Sequence, residues 1–139
     1  MLNYVHHVHY VVPDLDAMVE YLEKNLGMKP KQKVEYKDRA IKEALYDVGQ
    51  TTIQMSQPLD PNSSQGKFLA AKGAGVLHVA WAVDNLPALA NQLAAKGNKL
   101  RGEAGVTNSP LGYHTINIDT AHTQGLWFQL AEGARKAKS

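Results

Sequence analysis

Three histidines, His6, His7 and His9, lie within four positions of an apolar run near the start of the chain. Imidazole changes charge close to neutral pH, and its neutral form is the commonest protein ligand of a metal ion. Histidine at this density therefore indicates a metal site or acid–base chemistry. The alternative for each of the three is a hydrogen-bonded histidine that only fills a strand.

Composition limits the class of protein. The 139 residues suit one domain with its own core, and 44% hydrophobic with 20% charged residues is typical of a globular chain. A net charge of +2 gives no indication of a nucleic-acid or membrane partner, and the lack of cysteine excludes disulfides and thiolate metal sites. With no membrane-length apolar run and no secretory pattern, we predict a cytoplasmic protein.

The histidine run belongs to an internal repeat with an offset of 71 residues, which aligns His7 with His78. Each copy opens with a run rich in valine and aromatic residues, which predicts a strand. A segment with an apolar residue every three to four positions follows and predicts a helix. Residues suited to cap and end these helices are Asp14 and Gly27 in the first copy, and Asp84, Asn85 and Gly97 in the second.

Short strands complete each copy. We predict them at 32–37, 40–48 and 51–57 in the first copy, and at 98–103, 113–120 and 125–131 in the second. Each module is therefore β-α-β-β-β, and the fold class is α+β. The modules cover about 1–57 and 74–132, joined by a linker at 58–73 with a helical middle, within a single domain over 1–139. Paired modules are expected to form one cupped mixed sheet.

The alternation of side chains along a strand places His7 and His9 on one face. In the second copy His78 lies on the corresponding face, and so do Gln54 and Gln129 on the last strand of each module. Two imidazoles and two amide oxygens from equivalent positions can ligate a divalent cation. The pattern therefore predicts a metal site at His7, Gln54, His78 and Gln129, with strand histidines of purely structural role as the alternative.

Three segments resemble the vicinal oxygen chelate superfamily, which includes glyoxalase I, extradiol dioxygenases, fosfomycin-resistance proteins and the methylmalonyl-CoA epimerases. They are "HHVHYVVPDLDAMVEYLEKNLGMKP", "TIQMSQPLDPNSSQGKFLAAKGAGVLHVAWAVDNLPAL" and "GLWFQL". The resemblance covers about residues 4 to 131 and is strongest to the epimerases.

The resemblance implies the vicinal oxygen chelate fold, a homodimer, and a divalent ion (Zn, Co, Ni, Mn or Mg) held by the same four residues. Gln129 stands where these isomerases have a glutamate, so we expect the ion to bind weakly. The sequence Asp119-Thr120-Ala121 replaces the "HPK" of the epimerases, which leaves open whether the substrate is an acyl-CoA or another small carbonyl compound.

Four further residues are candidates for contact with a substrate. His9 follows His7 by two positions on the same face, at a position usually small in the family, and is a candidate base or acid. Glu43 is the second catalytic candidate, with a solvated strand residue as its alternative interpretation. Trp127 and His114 are candidates for substrate binding.

The leading hypothesis is a metal-dependent isomerase, epimerase or lyase that moves a proton α to a carbonyl group. A glyoxalase-like isomerase is one alternative, although an amide at Gln129 cannot transfer a proton as a glutamate does. The other alternative is a metal-free protein that binds or sequesters a small molecule, with Trp127 as a stacking wall. No nucleic-acid or membrane partner is expected.

Overall fold

The computed structural model describes residues 2–101, 107–108 and 113–133. The elements in chain order are β1 (Leu2–Val11), α1 (Leu15–Leu26), β2 (Gln32–Tyr36), β3 (Ile41–Val48), β4 (Thr51–Pro58), α2 (Ser64–Lys72), β5 (Gly75–Val83), α3 (Leu86–Ala95), β6 (Leu100–Arg101), β7 (Thr107–Asn108), β8 (His114–Ile118) and β9 (Phe128–Glu132). The strands form a mixed sheet, so the predicted α+β class is confirmed.

Local sequence accounts for the bounds of α1. The Asp14 side chain accepts a hydrogen bond from the backbone N–H of Ala17 at 3.1 Å and caps the helix. At the other end Gly27 adopts a left-handed conformation with φ of 67°, which costs glycine little. The apolar face of α1 packs into a core cluster of Leu15, Met18, Val19 and Leu22 with Tyr10, Val12, Ala44, Tyr46, Ile53 and Met55.

Contacts between Cα atoms group the chain into two compact units. The first unit is His7–Leu77, and the second unit is Met1–His6 with His78–Ser139. In the first unit the strand order is β2-β3-β4-β1, with β1 parallel to β4 and the other neighbours antiparallel. Helix α2 also belongs to this unit. It confirms the helix predicted in the middle of the linker.

The second unit repeats this topology. Its strand order is β5-β9-β8-β6, with β5 parallel to β9 and β8 antiparallel to both β9 and β6. Helix α3 begins after Asn85, whose side chain accepts a hydrogen bond from the N–H of Ala88 at 3.1 Å. Its apolar face forms a core cluster with Trp81, Val83, Leu86, Leu89, Ala90, Leu93, Leu100, Ile116, Ile118 and Leu130.

The repeat extends to one hydrogen bond at the start of each helix. The backbone N–H of Leu15 donates to Gln57 Oε1 at 2.9 Å, and the N–H of Leu86 donates to Glu132 Oε1 at 2.7 Å. Leu15 and Leu86 are related by the offset of 71 residues. Gln57 and Glu132 each follow the corresponding glutamine, Gln54 or Gln129, by three positions.

The predictions for the second module were wrong in two places. The last strand begins at Phe128 and not at 125, because a turn with positive φ at Gln124 and Gly125 precedes it. The interval 106–112, predicted as a loop, contains the two-residue strand β7, which pairs with β8. Of the strand predicted at 98–103, the structure places Leu100–Arg101, and residues 102–103 lie outside the described residues.

No helix among the described residues has both the length and the apolar character needed to cross a lipid bilayer.

Candidate active site

One face of the first unit's sheet is lined by polar side chains. Residues paired across neighbouring strands project to the same side of a sheet. The pairings His9 with Gln54, Ser56 with Glu43, and Glu43 with Val34 therefore place these side chains on one side. We call this side the polar face of the first unit. The opposite side carries Ala44, Tyr46 and Met55, which pack in the core with α1.

Glu43 lies at the centre of the polar face and is 2% exposed. Its Oε1 accepts a hydrogen bond from Gln54 Nε2 at 3.0 Å and one from Ser56 Oγ at 3.5 Å. Burial raises the pKa of Glu43, although the two hydrogen bonds and the charge of Arg39 oppose that rise. The alternative of a solvated strand residue is therefore wrong, because the neighbouring strands enclose the side chain.

His9 is buried beside the same group. Its Nε2 lies 2.8 Å from Ser56 Oγ. Burial, together with the charges of His7 and Arg39, lowers the pKa of His9 to about 3. The ring is therefore neutral at physiological pH.

His9, Ser56 and Glu43 do not form the catalytic triad of a serine hydrolase. In such a triad the carboxylate accepts a hydrogen bond from the histidine, whereas here the Glu43 carboxylate accepts one from the serine hydroxyl. Ser56 is also fully buried. A chain of hydrogen bonds instead runs from the His9 ring through the Ser56 hydroxyl to the Glu43 carboxylate.

The first unit places two of the predicted metal ligands on its polar face. His7 is buried and pairs with Thr52 across β1 and β4, two positions from the pairing of His9 with Gln54. Because Gln54 donates through Nε2 to Glu43, its Oε1 is the amide atom available to an electron-poor partner.

The second unit holds the other two predicted ligands, His78 and Gln129, both buried. Gln129 Nε2 donates to Asn117 Oδ1 at 3.1 Å, which again leaves the glutamine Oε1 as the available acceptor atom. The ring of His78 lies 4.6 Å from that of Trp127 between centroids. Each unit therefore contains one of the predicted imidazoles and one glutamine whose amide is oriented by a hydrogen bond.

Trp127 is fixed by contacts within the second unit. Its Nε1 donates to Asn117 Oδ1 at 2.6 Å, and the guanidinium of Arg101 lies 5.1 Å from the ring centroid. His114, the other candidate for substrate binding, is exposed at the start of β8. His6 is buried with its ring 4.6 Å from that of Tyr113.

Sequence reasoning missed three residues of these arrangements. Ser56 follows Gln54 by two positions on the same strand, but its contacts depend on strand register. Asn117 accepts from both Trp127 and Gln129, and only the pairing of β8 with β9 reveals it. Arg39 carries no motif at all, and its effect on Glu43 and His9 emerges only from the fold.

A sequence profile of the glyoxalase/bleomycin resistance protein/dioxygenase superfamily matches residues 6–113. The chain belongs to this superfamily. The match includes both histidine-bearing strands, β1 from His6 onward and β5, and all of the polar face of the first unit. The predicted recognition of the vicinal oxygen chelate superfamily is therefore confirmed.

Solved structures of superfamily enzymes share the fold. A methylmalonyl-CoA epimerase from Mycobacterium tuberculosis is 30% identical with a TM-score of 0.85, over 96% of this chain and 89% of that chain. A Streptomyces coelicolor methylmalonyl-CoA epimerase variant in complex with 2-nitronate-propionyl-CoA is 22% identical with a TM-score of 0.85, over 100% of both chains. A methylmalonyl-CoA epimerase in complex with methylmalonyl-CoA and NH4+ is 23% identical with a TM-score of 0.85, over 100% of this chain and 99% of that chain.

Among curated proteins, comparison by sequence finds no match to the chain. Members of the superfamily typically bind a divalent metal ion. The described residues contain no group of three or more histidine, cysteine, aspartate or glutamate side chains arranged to hold one.

Proposed function

We propose that this superfamily member removes a proton α to the carbonyl of an acyl-CoA thioester, as an isomerase or epimerase, with Glu43 as the base. The observation that carries the proposal is the buried Glu43 carboxylate, oriented by two hydrogen-bond donors on a face that also holds His7 and His9. The 30% identity to a methylmalonyl-CoA epimerase supports the choice of substrate class.

The surroundings of Glu43 suit a general base. Its raised pKa brings its basicity nearer to neutral pH, where proton transfer by a side chain is most effective. Gln54 and Ser56 both donate to Oε1, which orients the carboxylate and stabilises its charge. The other oxygen, Oε2, is the atom that we propose takes the proton.

The proposed step breaks the Cα–H bond of the substrate. The proton passes to Glu43 Oε2, and the electron pair moves toward the thioester oxygen to give an enolate. Return of a solvent-derived proton to the opposite side of Cα inverts the centre, and its return to the same side restores it. A solvent-derived proton at Cα therefore reports proton removal in either case.

His9 is a weaker candidate for the base than the sequence suggested. With a pKa of about 3 its ring accepts a proton poorly at neutral pH. Its hydrogen bond to Ser56 favours a positioning role, in which His9 holds the hydroxyl that donates to Glu43.

His7, Gln54, His78 and Gln129 are the residues that we propose would hold a divalent ion. The orientation of both amides fits this role, since each NH₂ group is bonded to a neighbour within its own unit. Four neutral ligands leave the charge of the ion uncompensated, so weak binding follows. A bound ion would supply a Lewis acid that polarises the carbonyl oxygen.

Two alternatives stay open. A glyoxalase-like isomerase would use the same proton removal on a different carbonyl compound. A metal-free binding protein would use the tilted ring pair of His78 and Trp127 to hold a small molecule. We further propose a homodimer in the cytoplasm with a small-molecule substrate and no nucleic-acid partner.

Proton exchange tests the proposed function directly. The protein is incubated with methylmalonyl-CoA in D₂O, with and without added Co²⁺ or Zn²⁺, and loss of the α-proton signal is followed by NMR. We expect exchange well above the protein-free rate. Tight binding of the thioester without exchange under either condition would instead favour the binding protein.

A further inference from the structure

Arg39 lies in the turn between β2 and β3 and is exposed. Its guanidinium carbon is 4.1 Å from the centroid of the Tyr36 ring, the geometry of a cation–π contact. The backbone N–H of Arg39 also donates to the carbonyl of Tyr36 at 3.2 Å. The cation–π contact restricts the side chain, so that less entropy is lost when it binds a partner, and the backbone hydrogen bond fixes the turn that carries it.

The ring beneath Arg39 lies on the polar face of the first unit. Val34 pairs with Glu43 across β2 and β3, and Tyr36 follows Val34 by two positions, so Tyr36 and Glu43 project to the same side. The charge of Glu43 acts on Tyr36, whose pKa is raised by burial first and by that charge second. Arg39 therefore holds a cation on the side of the sheet where Glu43 lies.

Within the part of the chain that the structure describes, no carboxylate forms an ion pair with this cation. The ion pairs among the described residues are formed by lysines, and Arg39 takes part in none of them. A planar guanidinium binds carboxylate and phosphate oxygens through two parallel hydrogen bonds. An anionic substrate group that approaches Glu43 is repelled by the negative charge of its carboxylate. The Arg39 cation on the same side of the sheet offsets that repulsion.

We propose that Arg39 binds an anionic oxygen group of the substrate, a carboxylate or a phosphate, and so selects substrates for the base on the same face. This inference rests on the proposed function, which identifies Glu43 as that base. Arg39 would act as a specificity-determining residue, not as an acid or base, because its guanidinium stays protonated at physiological pH.

Three thioesters separate the two anionic groups. Methylmalonyl-CoA carries both the carboxylate and the phosphates, 2-methylacetoacetyl-CoA carries the phosphates alone, and methylmalonyl-pantetheine carries the carboxylate alone. Their dissociation constants are measured by calorimetry for the wild type, Arg39→Gln, Arg39→Lys and a matched control, Lys37→Gln. Lys37 is exposed in the same turn and carries the same charge as Arg39, so Lys37→Gln removes one positive charge nearby without removing the guanidinium.

We expect Arg39→Gln to weaken binding about tenfold or more for each thioester that carries the recognised group, and less than about twofold for the one that lacks it. Loss with both methylmalonyl thioesters identifies the carboxylate, and loss with both CoA thioesters identifies the phosphate. Arg39→Lys should restore part of the loss, and Lys37→Gln should bind all three as the wild type does.

Equal affinity of the wild type and Arg39→Gln for all three thioesters would overturn the proposal. An equal loss for all three would do the same, because it would show a structural effect without selectivity. Proton exchange is measured on the same samples. Absence of exchange in the wild type counts against Glu43 as the base, while the binding ratios still decide the role of Arg39.

Discussion

The two units share a topology but place different side chains at equivalent positions. In the first unit Gln54 pairs with His9 across the parallel strands, and in the second unit Gln129 pairs with Ala80. Two positions further along the last strand, Ser56 pairs with Glu43, whereas Ala131 pairs with Thr115. The three hydrogen-bonded residues of the first unit thus have apolar or hydroxyl counterparts in the second: Ala80 for His9, Ala131 for Ser56 and Thr115 for Glu43.

The difference separates acid–base chemistry from packing. The two alanines of the second unit form a cluster with Tyr113, with no titratable side chain at those two positions. The same backbone positions in the first unit hold a buried carboxylate, a hydroxyl and an imidazole. The repeated fold therefore places a histidine and a glutamine, both possible metal ligands, in each unit. At the three positions compared above, however, a candidate base occurs in the first unit and not in the second.

Substitution of Glu43 should have the largest effect if this asymmetry is functional. Glu43→Gln keeps the size and the hydrogen bond from Gln54 but cannot accept a proton, so α-proton exchange should fall by about 10²-fold or more. Glu35→Gln, at an exposed glutamate of β2, is the matched control and should exchange at the wild-type rate. Exchange by Glu43→Gln within about threefold of wild type would show that the base lies elsewhere.

Restoring a carboxylate to the second unit should strengthen metal binding. Gln129→Glu supplies the negative charge that the four neutral ligands lack, so the affinity for Zn²⁺ or Co²⁺ should rise about tenfold or more by calorimetry. Gln92→Glu, on the exposed side of α3, adds the same charge away from these residues and should leave the affinity unchanged. If both variants bind alike, Gln129 is not a ligand.

Replacement of His9 should have a smaller effect on turnover than replacement of Glu43. With a pKa of about 3 the ring contributes by holding Ser56, so His9→Gln should lower exchange less than about tenfold. A decrease of about 10²-fold would instead identify His9 as the general base. Ser56→Ala, which removes the middle of the hydrogen-bond chain, should resemble His9→Gln.

His9 should also make the fold sensitive to acid. Its pKa falls from 6.5 to about 3 on folding, so the unfolded chain binds the proton more readily between these values. The contribution of His9 to the free energy of unfolding is largest above pH 6.5 and decreases as the pH falls, by about 2 kcal/mol at pH 5. Urea unfolding should show this loss in the wild type and not in His9→Gln. An equally steep loss in His9→Gln would mean that another buried group causes the acid sensitivity.

The sequence by itself determined the repeat, the helices and the division of each strand into two faces. Asp14 and Asn85 cap the helices as predicted, and Gln54 lies on the face opposite Met55. These features follow from residues close together in the chain, through capping hydrogen bonds and through periods of two and 3.6 residues. The metal ligands His7, Gln54, His78 and Gln129 stay a prediction.

Only the tertiary structure decided which face residues meet. Spacing in the sequence left two interpretations of Glu43, a catalytic residue and a solvated strand residue, whereas strand pairing buries it beside Gln54 and Ser56. It also places the ring of Tyr36, which Arg39 contacts, on the side of the sheet where Glu43 lies. The physical reason is register: residues 47 positions apart, such as His9 and Ser56, become neighbours only through the pairing of β1 with β4.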